Sequence, residues 1–541
     1  MGIPSGPSAY ADTFARDHLP DPLAQPRYLW DHPALQYADR LNCGAELLDA
    51  NVAAGHGDRP CLRDGEGRTW TYAEVLDRAN RVANVLMYGH NLLPGNRVLM
   101  RGPNNPWLAV CWLAVQKAGL IAVVTMPLLR AGELRAIIDK AHVNLALCDT
   151  RFLDDLHSAA PDLPTLSYGD DSDLSEAMRH AAPSFVNCDT AADDVSLIAF
   201  TSGTTGQPKG CVHFHRDILA IADTFSAMIV KPSADDVFAG SPPLAFTFGL
   251  GGLLIFPLRA AACALLLEAA SPPLLLAAVE RHGVTITWTA PTAYRAMLDG
   301  VERTDISTLR KGVAAGEALP LATRVAWREA TGVNLIDGLG ATEMLHVFIS
   351  APPDEVVDGA VGRPLPGYEA AILDEDGNEL PTGEVGRLAV RGPVGCRYLA
   401  DARQLNYVRN GWNLPGDSMR RDAEGNYYYV ARADDMIITA GYNVAGPEVE
   451  AALLTHPAVA ECACVAAPDD ERGHIVKAYV VVKDPTLAGD ALTRELQDHV
   501  KATIAPYKYP RAIEYRSELP KTNTGKLQRF RLRQDAEGAT G

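Results

Sequence analysis

Between residues 61 and 148, short apolar runs alternate with helix-length runs, and this alternation leaves the chain few architectures. Thr71-Tyr-Ala-Glu74 has the pattern of a capping box, and Val75, Ala79, Val82, Ala83 and Leu86 follow at helical spacing. Arg97-Val-Leu-Met100 reads as a short strand. Pro106 to Lys117 reads as a helix stopped at Gly119, and Leu120 to Thr125 as a buried strand. A helix from Ala131 to Ala141 then leads to the strand Asn144-Leu-Ala-Leu-Cys148. Strands that alternate with helices form a parallel sheet covered on both faces, so the expected class is α/β.

At 541 residues the chain exceeds one ordinary core, so more than one domain is expected. Residues 149–194, rich in Asp, Ser and Pro, read as a surface excursion. A second alternating region runs from Ser196 to about Ile349. From 360 to 430 the pattern changes to short strands and Gly/Asp turns such as Leu373-Asp-Glu-Asp-Gly377, which predicts an antiparallel β subdomain. The last hundred or so residues carry two helices and strands at Val459 to Val465 and Ile475 to Val482, long enough for a small α+β domain. The expected fold is a large N-terminal domain of stacked doubly wound sheets plus a β subdomain, with a small mobile α+β lid.

A net charge of -18 argues against a general nucleic-acid or anionic-membrane binder, though a local cluster of N–H groups and lysines can still hold small anions. The ten cysteines are scattered with no C-x-x-C pair, which leaves zinc unsupported and suggests a reducing compartment. Met1-Gly-Ile-Pro-Ser-Gly6 shows no signal-peptide pattern, and Gly249 to Leu267 contains Pro257 and Arg259. That stretch reads as a buried helix plus strand rather than a membrane span. Cytoplasm is the expected location.

The strand Leu197-Ile-Ala-Phe200 runs into Thr201-Ser-Gly-Thr-Thr-Gly-Gln-Pro-Lys-Gly210. Hydroxyls, glycines and a lysine offer many donors with little bulk, as a loop around triphosphate oxygens needs. The spacing is not that of the usual P-loop, and a flexible linker is the competing reading.

This loop resembles the phosphate-binding signature of the adenylate-forming superfamily: acyl- and aryl-CoA synthetases, peptide-synthetase adenylation domains and luciferases. Four later segments are similar to the superfamily's motifs in order. Asp337-Gly-Leu-Gly-Ala-Thr-Glu-Met344 resembles its adenine and magnesium motif, and Leu414-Pro-Gly-Asp417 its ribose motif. Ala431-Arg-Ala-Asp-Asp-Met-Ile437 resembles its hinge, and Pro520-Lys-Thr-Asn-Thr-Gly-Lys526 its catalytic-lysine motif. Pro415 and Leu339 stand where the family often has Thr and an aromatic residue, and Ala440 stands where it often has Gly.

The resemblance implies an ATP-dependent aryl-carboxylate CoA ligase, closest to benzoate- and 2-aminobenzoate-CoA ligases, with ATP, Mg²⁺ and CoA as cofactor and co-substrates. It implies a domain of residues 1–433 that binds AMP and a lid of 434–541. The implied catalytic residues are Lys526, Thr342 and Glu343, with Glu343 on the metal. The implied nucleotide set is Thr201, Ser202, Gly203, Thr204, Thr205, Gly206, Lys209, Gly316, Glu317, Asp337, Gly338, Asp417 and Arg432. Asp434 is the implied hinge, and Gly441 lines the implied CoA tunnel.

The chemistry of the side chains agrees. A carboxylate at Glu343 suits Mg²⁺, which prefers hard oxygens. Asp417 has two acceptor oxygens for two ribose hydroxyls, and Arg432 could help fix them. Read alone, Asp417 is also an ordinary turn residue, Arg432 a salt-bridge partner and Lys526 a solvated lysine.

The implied acyl pocket is Phe246, Thr247, Phe248, His346 and Val347. Thr247 stands where peptide-synthetase domains usually carry an Asp for an ammonium group, which disfavours α-amino acids. Phe246 and Phe248 could flank a flat ring, although core packing explains Phe248 equally well. His346 could bond an ortho substituent or only a backbone carbonyl.

The partners expected are small molecules, with no nucleic acid and no membrane. A homodimer is left open. A lysine acetyltransferase acting on Lys526 is a further expected partner, from the similarity of Pro520-x-x-x-x-Gly525-Lys526 to segments such enzymes recognise. The rival readings are a stand-alone adenylating enzyme that loads a carrier protein and a nucleotide-binding scaffold without catalysis.

Overall fold

A computed structural model describes residues 7–201, 208–432, 436–439, 442–469, 473–504, 506–521 and 527–538. Two sheets carry the larger part. In one of six strands, Leu145–Asp149, Arg97–Arg101, Ile121–Thr125 and Val195–Thr201 run parallel in that order, with Thr165–Tyr168 and Lys209–Phe214 at the edges. The other has nine strands, from Arg363–Pro364 at one edge to Thr69–Thr71 at the other. Its middle is parallel: Leu335–Gly340, Lys311–Ala315, Ile286–Thr289, Val237–Gly240, Cys263–Leu266 and Pro60–Asp64.

The helix Pro106–Lys117 shows why the sheets stack. Asn105 caps it by accepting from Leu108 N at 2.9 Å, and Pro106 presets its first turn. Apart from Trp107 it is buried on every side, so it must lie between layers. It packs against Arg97–Arg101 and Ile121–Thr125 of one sheet and Pro60–Asp64 of the other. The predicted capping box is present: Thr71 Oγ1 accepts from Glu74 N at 3.2 Å, and Glu74 accepts from Thr71 N at 2.8 Å.

Residues 149–194 are more than a surface excursion. Thr165–Tyr168 joins the six-stranded sheet beside Leu145–Asp149, and Tyr168 is fully buried with its hydroxyl donating to Arg101 O at 3.0 Å. The predicted antiparallel region forms a six-stranded sheet of Glu369–Leu373, Val385–Arg391, Val408–Arg409, Trp412–Asn413, Asp417–Arg421 and Tyr427–Arg432.

The C-terminal part has its own cores. Val459–Asp469, Gly473–Val482 and Ala512–Tyr515 form a sheet packed with Gly446–Leu454, Asp490–Thr503 and Arg529–Gly538. Cys464 is buried and Cys462 packs against the same core, as expected of residues two apart on a strand. Glu450 ties this part together: it accepts from Arg529 at 2.7 and 2.8 Å and from Cys464 N at 2.7 Å. Among the described residues, no helix is long and apolar enough to cross a membrane.

Candidate active site

Thr201 pairs with Lys209 across the antiparallel strands Val195–Thr201 and Lys209–Phe214, the strands on either side of the glycine-rich segment. Ser202, Gly203, Thr204, Thr205 and Gly206 lie outside the described residues, as do Asp434, Gly441 and Lys526. The residues that flank the last of these, Lys521 and Leu527, pair antiparallel.

Lys209 does not stand alone. Its Nζ donates to Tyr398 Oη at 3.2 Å, and Tyr398 Oη donates to Glu343 Oε1 at 2.5 Å. The ammonium lies 5.1 Å from the centre of the Tyr398 ring. Tyr398 is brought there by pairing: Leu399 N donates to Gly210 O and Val212 N to Arg397 O, both at 2.8 Å. Burial, then the Glu343 carboxylate, pushes the phenol pKa far up, so it remains a hydroxyl.

Behind this lies a buried ion pair, Arg397 Nη1 to Asp217 Oδ2 at 2.7 Å, with both side chains fully enclosed. His213, on the same strand as Lys209, donates from Nε2 to the Thr342 carbonyl at 2.8 Å. That acceptor fixes the proton on Nε2. Burial lowers the His213 pKa to about 4, with Asp217 opposing, so the ring is neutral.

Thr342 and Glu343 sit in the turn between Leu335–Gly340 and Val347–Ser350. The turn ends in an unusual way. His346 N donates to Met344 O at 2.8 Å around Leu345, whose φ is 65° and ψ -36°. This is a left-handed γ-turn at a branched residue, a strained geometry.

The turn at Leu345 sets His346 within a buried cluster of rings. Its imidazole centre lies 4.7 Å from Phe256, 5.4 Å from Phe225, 5.7 Å from Phe248 and 6.0 Å from Trp288. Gly251 and Gly252 make room: a Cβ would stand 2.4 Å from His346 Cδ2 at the first and 2.6 Å from the Trp288 ring at the second. Neither imidazole nitrogen makes a hydrogen bond of good geometry, and burial drives the pKa down to about 3, slightly opposed by the Phe248 backbone. Thr247 and Val347 are buried, and Val347 fills the space that Gly338 leaves open. Phe246 makes none of these ring contacts among the described residues.

Asp417 and Arg432 face each other across adjacent strands. Gly316 follows the strand Lys311–Ala315 with φ +94°, and Glu317 accepts from Thr292 N at 2.8 Å. Gly316 and Glu317 lie at the carboxyl end of a parallel strand, where open α/β sheets hold ligands. Asp337 differs. Its carboxyl is buried toward Arg324, 3.4 Å away, and burial raises its pKa to about 7 while Arg324 opposes.

The carboxylate of Glu343 fits Mg²⁺. That ion is usually held by one or two carboxylates plus substrate phosphates, and Glu343 is a buried carboxylate tied to Lys209 through Tyr398. Among the described residues no group of three His, Cys, Asp or Glu could form an all-protein metal cage. Sequence reasoning missed Tyr398, Trp288, Phe225, Phe256 and His213. Trp288 reads only as a strand residue in Ile286–Thr289, and nothing local marks Tyr398.

The model of AMP-binding enzymes matches residues 49–398, and that of the AMP-binding enzyme C-terminal domain matches 448–526. A benzoate–CoA ligase of Thauera aromatica is 35% identical over 514 residues, covering 93% of this chain and 97% of its own. A solved anthranilate CoA ligase in complex with anthranoyl-AMP superposes with a TM-score of 0.89 at 33% identity, covering 94% of this chain and 99% of its own. A benzoate CoA ligase from Burkholderia xenovorans does so at 0.83 and 31% identity, with 91% and 100% covered.

Proposed function

The chain belongs to the AMP-binding enzyme family, and from that premise we infer that it joins a benzoate-type acid to coenzyme A through an acyl adenylate. It is an ATP-dependent, AMP-forming aryl-carboxylate CoA ligase. ATP and acid give acyl-AMP and pyrophosphate, and the CoA thiol then takes the acyl group and releases AMP.

One observation supports the aryl acid most. The cluster of rings formed by Phe225, Phe248, Phe256, Trp288 and His346, with Phe248 its partly buried member, adjoins the turn that carries Glu343. A flat ring laid against the Phe248 edge of this cluster would set its carboxylate toward the nucleotide. Benzoate and 2-aminobenzoate both suit this reading, and the relatives named for each support it.

The roles proposed for the site residues are these. Lys209, Thr201 and the loop between them bind phosphate, Asp417 and Arg432 hold ribose, and Gly316, Glu317, Asp337 and Gly338 form the adenine wall. For Asp337 and Gly338 the backbone serves, since the Asp337 carboxyl is engaged by Arg324. Glu343, beside Thr342, would hold Mg²⁺, which neutralises phosphate charge when bound. Lys526 offsets the charge that builds as carboxylate oxygen attacks phosphorus.

The division at 433/434, with Asp434 as hinge, lets a lid carry Lys526 in for the first step and the Gly441 loop in for the second. Acetylation of Lys526 by a lysine acetyltransferase would remove its charge and stop the first step. Stoichiometric acetylation with adenylation unchanged would refute that role. The ten cysteines are all unpaired, which suits a reducing cytoplasm.

The deciding experiment gives purified protein ATP, magnesium and CoA with a panel of benzoates. Pyrophosphate and aryl-CoA should appear together. Pyrophosphate released without thioester until a carrier protein is added would favour a carrier-loading enzyme instead.

A further inference from the structure

We propose that Tyr398 is a positioning residue for the nucleotide: its hydroxyl is a spacer that keeps Lys209 and Glu343 from closing on each other. The proposal rests on the ligase reading, which assigns phosphate to Lys209 and metal to Glu343. An ammonium and a carboxylate facing each other in a water-poor site attract strongly. Once in direct contact, each would satisfy the other rather than a phosphate or a metal.

The phenol prevents this with the means a hydroxyl has, one proton to give and lone pairs to receive. It gives its proton to Glu343 at 2.5 Å and receives from Lys209 at 3.2 Å. Its ring lies beside the ammonium, 5.1 Å from centre to nitrogen, so the cation also gains from the π face. Both charged groups are thus held apart yet partnered.

The spacer is itself held firmly. Tyr398 N donates to Gln404 Oε1 at 2.9 Å. The residues on either side pair with Val212 and Gly210 at 2.8 Å, and the adjacent Arg397 is locked to Asp217 at 2.7 Å. On the opposite side of the gap, the Thr342 carbonyl is held by His213 Nε2 at 2.8 Å, which fixes the turn bearing Glu343. A phenol that only filled space would need none of these registers.

The test uses the intact protein and calorimetry of ATP binding, with magnesium and with EDTA, in wild type, Tyr398→Phe and Tyr398→Phe/Glu343→Gln. Removing the hydroxyl should weaken Mg·ATP by ~10–100-fold, the worth of a hydrogen bond to a charged group, while KM for the aryl acid stays unchanged. Metal-free ATP should also bind more weakly to Tyr398→Phe, because Lys209 is then captured by Glu343. Adding Glu343→Gln removes the capturing charge and should restore metal-free ATP binding to within about threefold of wild type.

That rescue distinguishes a spacer from a filler even if Tyr398→Phe lowers the unfolding midpoint. Wild-type Mg·ATP affinity in Tyr398→Phe, or a double variant no better than the single one on metal-free ATP, would overturn the proposal. A wild type that binds ATP but forms no thioester with any acid would instead overturn the ligase reading.

Discussion

Asp417 and Arg432 stand directly opposite each other on adjacent antiparallel strands, and Arg432 Nη1 donates to Asp417 Oδ1 at 3.2 Å. Asp417 is buried, whereas the Arg432 side chain is half exposed. Solvent screening of the exposed guanidinium keeps the pair's contribution to stability small. Gly416, at φ +87°, turns the chain just before it, and a Cβ there would stand 3.0 Å from Arg432 Nη2. Arg432→Ala is expected to raise KM for ATP by ~10-fold. The loss should shrink with 2′,3′-dideoxy-ATP, which has no ribose hydroxyls for Asp417, and kinetics with the two nucleotides check this.

Lys526→Ala should abolish acyl-adenylate formation and spare thioester formation from preformed aryl-AMP. The two half-reactions, followed separately by pyrophosphate release and by CoA thioester, give the answer. Equal loss in both would mean that the lysine serves the fold or both steps.

A site beside this ring cluster should prefer flat acids. Benzoate and 2-aminobenzoate are expected to exceed octanoate in kcat/KM, while neighbouring benzoates differ by only ~10–200-fold, the range typical of small shape changes. Gly251→Ala drives a methyl into the His346 ring, which overpacking makes costly by ~1–3 kcal/mol. Pairing it with His346→Ala should recover stability. Urea unfolding of the single and double variants measures the recovery.

His346 also makes a pH prediction. Its folded pKa is about 3, against about 6.5 in an unfolded chain. Between those values the unfolded chain takes up a proton that the folded one refuses. The stability from this neutral ring is complete above pH 6.5 and is lost as pH falls, by ~1.4 kcal/mol per unit. His346→Phe deletes the group, so its stability should decline less steeply than wild type from pH 6.5 to 4.5. Urea unfolding across that range compares the slopes.

The parts legible in the sequence are those with local causes. Asn105-Pro106 and Gly119 bracket a helix by capping and turn geometry, so its bounds are readable from neighbours. Thr165–Tyr168 is a four-residue edge strand in a polar stretch, where no apolar run announces it. The motif residues Lys209, Glu343 and Asp417 could be placed by resemblance. Tyr398 could not, because it meets partners 189 and 55 positions away through pairing that no local pattern encodes. The direction of the Asp337 carboxyl was hidden for the same reason: Arg324 is set by how a helix packs on its sheet.

The γ-turn at Leu345 separates the direction of position 346 from the identity of its side chain. Its backbone, fixed by the Met344–His346 bond, decides where position 346 points, and no well-formed hydrogen bond from the imidazole takes part in that decision. The loop thus behaves like a tool holder: the bit at 346 can be exchanged while the grip stays closed. A substitution at residue 346 is therefore expected to leave the backbone of the turn, and Glu343 three residues earlier, in place.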